Sequence, residues 1–113
     1  MSIKRIEVGP RMSEAVIHGS VVYLAGQVAK GETVTAQTEA VLASIDALLA
    51  QAGTDKSKLL TATIYLADIA TFAEMNAVWD TWVSAGNTPA RATVQALLAT
   101  PEYKVEIVVK AAL

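Results

Sequence analysis

Two charged side chains in the last quarter of the chain carry most of the chemistry the sequence offers. Arg91 follows Pro89-Ala90 and opens an alternating run. Arg91, Thr93, Gln95 and Leu97 point one way along it, and Ala92, Val94, Ala96 and Leu98 the other. The second set is apolar and small enough to pack under helices, so Arg91 and Thr93 are expected to face away from the helix-covered core. A guanidinium there is costly to desolvate without an anion. A ligand carboxylate gripped in bidentate geometry would satisfy it, and so would a neighbouring Asp or Glu of the protein. Glu106 belongs to a second alternation, with Val105, Ile107 and Val109 on one face and Lys104, Glu106, Val108 and Lys110 on the other. If its strand neighbours that of Arg91, the two charges can share a cleft. The plainer reading is an exposed strand carboxylate flanked by lysines.

Other chemistries find little to build on. His18 is the only histidine and falls at a hairpin end, which leaves a Ser-His pair or a multi-histidine metal site without partners. There are no cysteines, hence no disulfide, thiolate nucleophile or Cys-based zinc or iron–sulfur site. The six glycines form neither a phosphate loop nor a dinucleotide fingerprint. No metal and no cofactor is expected.

The elements that must hold Arg91 and Glu106 alternate along the chain without repeats, low-complexity tracts or a linker. Ile3 to Val8 reads as a short strand broken by Gly9-Pro10. Ala15 to His18 and Val21 to Gln27 flank Gly19-Ser20, a dipeptide suited to a tight hairpin. From Val34 the period becomes helical: Thr38, Val41, Leu42, Ile45, Leu48, Leu49 and Ala52 recur on one face, and Gly53 supplies the stop. Leu59 to Leu66 reads as a strand rich in Thr, Ile and Tyr. A second helix opens at Thr71, where Thr71 and Glu74 have capping-box spacing. It carries a stripe of Phe72, Met75, Trp79, Trp82 and Val83, and ends by Gly86-Asn87 ahead of Pro89. Arg91 to Leu98 and Tyr103 to Ala111 complete the order β-β-β-α-β-α-β-β. Two helices then cover one face of a mixed sheet in an α+β fold. The other face needs a cover, and partner subunits in closed cyclic symmetry are the economical one.

Composition agrees. The 113 residues are one domain's worth, spanning 1–113, and 53% hydrophobic content with a mean hydropathy of +0.40 can fill a core. Net charge is −2 and the nine Lys and Arg residues are scattered, which disfavours phosphate-backbone binding and makes nucleic acid a poor partner. The first ten residues lack the apolar run of a signal peptide, and no apolar run reaches the ~18 residues of a membrane span. The cytoplasm is the default location.

Pro89-Ala90-Arg91-Ala92-Thr93-Val94-Gln95 followed by Thr100-Pro101-Glu102-Tyr103-Lys104-Val105-Glu106-Ile107 resembles the carboxy-terminal signature of the RidA/YjgF family. Ala25-Gly26-Gln27 is similar to the family's small-Gly-Gln segment. Phe72-Ala73-Glu74-Met75-Asn76-Ala77-Val78-Trp79 is similar to its second-helix pattern. The resemblance covers essentially the whole chain, and Arg11-Met12-Ser13 leading into Ala15-Val16-Ile17-His18 is closest to the YoaB-like branch.

The resemblance implies a homotrimer of a chorismate-mutase-like fold, with sheets lining a central β-barrel and three clefts between subunits. In each cleft Arg91 would hold the carboxylate of a 2-imino or 2-enamino acid, and Glu106 would position or activate the water that releases a 2-oxo acid and ammonia. Gly26, Asn76 and Thr93 match positions that line the site. This chain departs from the better-known pattern, which has Tyr near Met12, Ser where Ala25 stands and Cys where Thr93 stands. Thr93 keeps a hydrogen-bonding group, but Met12 and Ala25 remove polar atoms. The alternatives are a non-catalytic sensor that binds 2-oxo acids in the same cleft and, as the family's other name of endoribonuclease L-PSP suggests, RNA cleavage. The sequence pI near 5.3 weighs against the last.

Overall fold

In the computed structural model, which describes residues 2–113, the alternating segments become β1 (Ile3–Val8), β2 (Ser13–His18), β3 (Val21–Leu24), β4 (Leu59–Leu66), β5 (Ala90–Gln95) and β6 (Val105–Ala112). The helical segments become α1 (Val34–Ala52) and α2 (Phe72–Trp82). One sheet runs in the order β1-β2-β3-β6-β4-β5. Every pairing is antiparallel except β4 with β5. That parallel pair is the one that needs a crossover, and α2 supplies it. The Cα envelope measures 43 × 37 × 19 Å, the flatness of one helix layer on one sheet.

The core lies between these layers. Ala15, Val22 and Leu24 from β2 and β3, Ala62, Ile64 and Leu66 from β4, and Val105, Ile107, Val109 and Ala111 from β6 are buried. They meet Val41, Leu42, Ile45 and Leu49 of α1 and Met75 and Trp79 of α2. Each fully buried Leu or Ile is worth ~1.5–3 kcal/mol of transfer free energy. Among the described residues no layer covers the opposite face of the sheet. It carries Tyr23 and Val94, at 42% and 44% exposure.

Capping differs from the sequence expectation. Thr33, not part of the expected pattern, caps α1 by accepting from Ala36 N. Gly53 ends the helix at φ 85°, the left-handed conformation that favours glycine. The Thr71–Glu74 capping box does not form. Thr71 already belongs to a 3-10 turn over Ile69–Thr71, and its hydroxyl donates to Asp68 O at 2.6 Å. Glu74 instead caps the other helix, accepting from Thr35 N at 2.9 Å and Thr35 Oγ1 at 3.0 Å.

Several boundaries also move. Helix α2 stops at Trp82, four residues before Gly86, because Val83 turns extended at ψ 142°. Strand β2 begins at Ser13, and β3 ends at Leu24, leaving Gln27 in an isolated bridge with Ile107. Strand β5 ends at Gln95 instead of Leu98, since β4 ends at Leu66, whose carbonyl takes the last bond from Ala96 N. Strand β6 starts at Val105, and Tyr103 and Lys104 lie in the irregular segment between it and the turn at Pro101 and Glu102.

Candidate functional site

Strand β5 is an edge strand whose partner β4 fixes its faces through Ala62↔Arg91, Ile64↔Thr93 and Leu66↔Gln95. Paired residues in a ladder share a face, and Ala62, Ile64 and Leu66 are the buried, helix-facing set. Arg91, Thr93 and Gln95 therefore point towards the α2 side, which corrects the expectation that Arg91 and Thr93 face away from it. Alternation reveals which residues share a face, and on an edge strand with two partly exposed faces it does not reveal which face the helices take.

Arg91 meets a single stripe of α2. Its Nη1 donates to Asn76 Oδ1 at 2.8 Å. Its Cζ lies 5.8 Å from the ring centre of Phe72 and 5.3 Å from that of Trp79. Residues 72, 76 and 79 stand at i, i+4 and i+7 on the helix, so one face presents all three. These contacts are uncharged, and Asn76 is the only hydrogen-bond partner of the guanidinium among the described residues. One residue further in on the same face, the Thr93 hydroxyl is buried and has no hydrogen-bond partner among the described residues.

Glu106 lies on the other face, opposite Tyr65 of β4. It borders a hollow of about 280 Å³ lined by Tyr65, Leu97, Leu98, Ala99 and Val108. Leu97 rises from the rim at 98% exposure. Gly26 backs the carboxylate: a Cβ there would fall 2.9 Å from Glu106 Cδ and nearer still to Oε2. A side chain at position 26 would displace Glu106. Beside it Gln27 Nε2 donates to Glu14 Oε1 at 3.2 Å and to Ala25 O at 3.0 Å.

The expected site residues thus fall into two groups. Arg91, Asn76 and Thr93 gather on the helix side of β5, whereas Glu106 and Gly26 gather on the open face of β6. Strand β4 separates the two strands, and the charges face opposite ways, so within one chain they share no cleft. Phe72 and Trp79 were legible as an apolar stripe but not as neighbours of Arg91. Gln37 passed unnoticed. It is fully buried in α1, and its Nε2 donates to Gly31 O at 2.9 Å and Glu102 O at 2.8 Å. Its Oε1 accepts from Lys104 N at 2.8 Å, tying two loops together just upstream of Glu106. A polar residue one position from Thr38 on an apolar stripe was the available signal.

The chain matches the model of the family described as Endoribonuclease L-PSP over residues 2–113. It is 50% identical over 113 residues to a RutC family protein of Haemophilus ducreyi, with 98% of this chain and 97% of the relative covered. It is 49% identical over 114 residues to the RutC family protein YoaB of Escherichia coli K12, with 99% of each covered. A crystal structure of a YjgF-family member from Neisseria meningitidis superposes with a TM-score of 0.98 at 51% identity, covering 99% of this chain and 95% of that one. A YjgF/YER057c/UK114 family member from Mycobacterium tuberculosis superposes at 0.91 with 28% identity, covering 99% of this chain and 100% of that one.

Proposed function

The chain belongs to the Endoribonuclease L-PSP family, also known as RidA/YjgF, and from that premise we propose that it hydrolyses 2-imino and 2-enamino acids to 2-oxo acids and ammonia. The observation that carries this reading is the state of Arg91. A neutral amide and two ring faces hold its guanidinium, so its positive charge is uncompensated by any hydrogen-bonded carboxylate among the described residues. A small acid supplies the missing anion in bidentate geometry.

The opposed faces of Arg91 and Glu106 give the reading a second requirement. A substrate can touch both only if Arg91 comes from one chain and Glu106 from another. A homotrimer with clefts between subunits meets that requirement, and it covers the sheet face that the helices leave open. In such a cleft Arg91 fixes the carboxylate while Asn76 steadies the arginine, and a turn about χ1 of Thr93 would bring its buried, unpartnered hydroxyl to the ligand. Glu106, seated against Gly26, takes a proton from water as the oxygen bonds to C2. The C=N π pair moves to the nitrogen of the protonated imine, Glu106 returns the proton to that nitrogen, and the C–N bond breaks to release ammonia as the hydroxyl gives its proton to the carboxylate and the C=O bond forms. An enamino acid takes a proton at C3 first and enters as the same imine. No covalent nucleophile enters. Because imines of 2-oxo acids already hydrolyse in water, orientation and proton transfer worth ~10²–10⁴-fold suffice.

The test is ammonia release from enzymatically generated 2-iminopropionate. The wild type should accelerate it, and Arg91→Ala and Glu106→Gln should not. A wild type that binds 2-oxobutyrate without accelerating release is a sensor instead. RNA degradation that co-purifies with the chain and survives both substitutions returns the endoribonuclease reading.

A further inference from the structure

We propose that Phe72 and Trp79 are positioning residues that seat Arg91 with its charge intact and its outer N–H edge presented to an incoming acid. The proposal deepens the reading of Arg91 as a carboxylate anchor and rests on it. An arginine on an edge strand is a long, flexible side chain, and a site that must first order it binds its ligand more weakly. A carboxylate would fix its direction but would also neutralise it. Here the direction is fixed by groups without net charge: Asn76 Oδ1 at 2.8 Å and ring centres at 5.3 and 5.8 Å, within cation–π range.

Phe72 is 40% exposed, and the Arg91 guanidinium lies over its ring. Trp79 is 5% exposed and is itself braced, tilted at 53° against Trp82 with ring centres 5.4 Å apart. The Trp82 indole N–H donates to Asp46 Oδ2 of α1 at 2.9 Å. The seat is therefore tied to the helix layer and would exist before any ligand arrives.

Side-chain NMR reads the seat directly, because Arg5, Arg11 and Arg91 are the only arginines and give only three Nε–Hε signals. The Arg91 signal, identified by its loss in Arg91→Ala, should be upfield-shifted by the rings and well ordered in the wild type without ligand. Phe72→Leu keeps apolar bulk but no ring face. It should move the signal towards the other two and lower its order, and Phe72→Tyr should restore both. Affinity for 2-oxobutyrate should fall about two- to fivefold in Phe72→Leu, with KM raised and kcat unchanged where turnover is followed. Trp79→Phe, which keeps a ring, should fall between Phe72→Leu and the wild type. Equal order and shift of Arg91 in the wild type and Phe72→Leu overturns the proposal, whatever happens to affinity. An ordered, ring-shifted Arg91 in a wild type that binds no 2-oxo acid leaves the seat standing and removes the anchor reading.

Discussion

The Glu106 carboxylate rests against Gly26, with no space for a methyl group between them: a Cβ at position 26 would sit 2.9 Å from Glu106 Cδ. Position 26 needs glycine for this close approach, since its φ is not in the left-handed region. Gly26→Ala should therefore act through Glu106. Turnover should fall on the order of 10²-fold, the usual effect of ~1 Å misplacement of a reacting group. Binding of 2-oxobutyrate at Arg91 should persist. Parallel kcat and Kd measurements check the split, and loss of binding as well would mean that the substitution disturbs more than the carboxylate.

Arg91→Ala should abolish detectable 2-oxo-acid binding. The thermal midpoint should move little, because the side chain is an exposed anchor and not core. Arg91→Lys should recover little affinity, since an ammonium cannot reproduce the planar two-pronged grip. Calorimetric titration of the three proteins decides it, and lysine binding as tightly as arginine would show that charge alone suffices.

Asn76→Asp changes one atom and gives Arg91 a carboxylate partner at hydrogen-bond distance. The expected result is a folded protein whose affinity for 2-oxobutyrate drops tenfold or more, a loss of at least about 1.4 kcal/mol, because the ligand must displace an internal anion. Titration against Asn76→Ala, which loses the steadying bond without adding charge, separates neutralisation from disorder. The aspartate variant should be the weaker binder.

Gln37→Leu leaves Gly31 O, Glu102 O and Lys104 N without their buried partner. At ~1–3 kcal/mol for each unsatisfied group, partly relieved by water at the loop edge, the loss of unfolding free energy should be on the order of 2–4 kcal/mol. Urea denaturation measures it, and a loss below 1 kcal/mol would mean that the loops re-pair without the glutamine.

Mixed assemblies test whether sites are shared. Arg91→Ala and Glu106→Gln chains are each expected to be inactive. Unfolded together and refolded, they should regain roughly a quarter of wild-type turnover, because random mixing gives about one cleft in four an intact Arg91 from one chain and an intact Glu106 from its neighbour. No recovery, in a mixture that native mass spectrometry shows to be exchanged, would place both groups in one chain's cleft.

How much of this was legible in the sequence depends on which physical signal each feature leaves. Periodicity specified both helices and the order of elements, because the core residues of α1 and β6 are buried in register with their spacing. The Gly19-Ser20 hairpin and the Gly53 stop followed from turn chemistry. The face taken by Arg91 did not follow. It depends on the pairing of β5 with β4 across an intervening helix, a long-range register that alternation within residues 90–98 does not encode. The reach of Glu74 to Thr35 was hidden for the same reason, since local capping-box spacing competes with a partner 39 residues away. Arg91 and Glu106 stood out as charges on alternating strands, and Asn76, Thr93 and Gly26 through family resemblance, but their division between two faces is a property of the sheet.

The pair of tilted indoles beside Arg91 also makes the protein its own optical probe. The chain has two tryptophans, Trp79 and Trp82, and they are the pair in contact. All of its indole emission thus originates within one or two rings of the guanidinium, and excitation at the red edge of the indole band leaves the three tyrosines dark. An acid that settles on Arg91 changes the field across Trp79, and a shift in emission wavelength or intensity would report occupancy in real time without a label. Stopped-flow mixing could then follow ligand arrival separately from ammonia release.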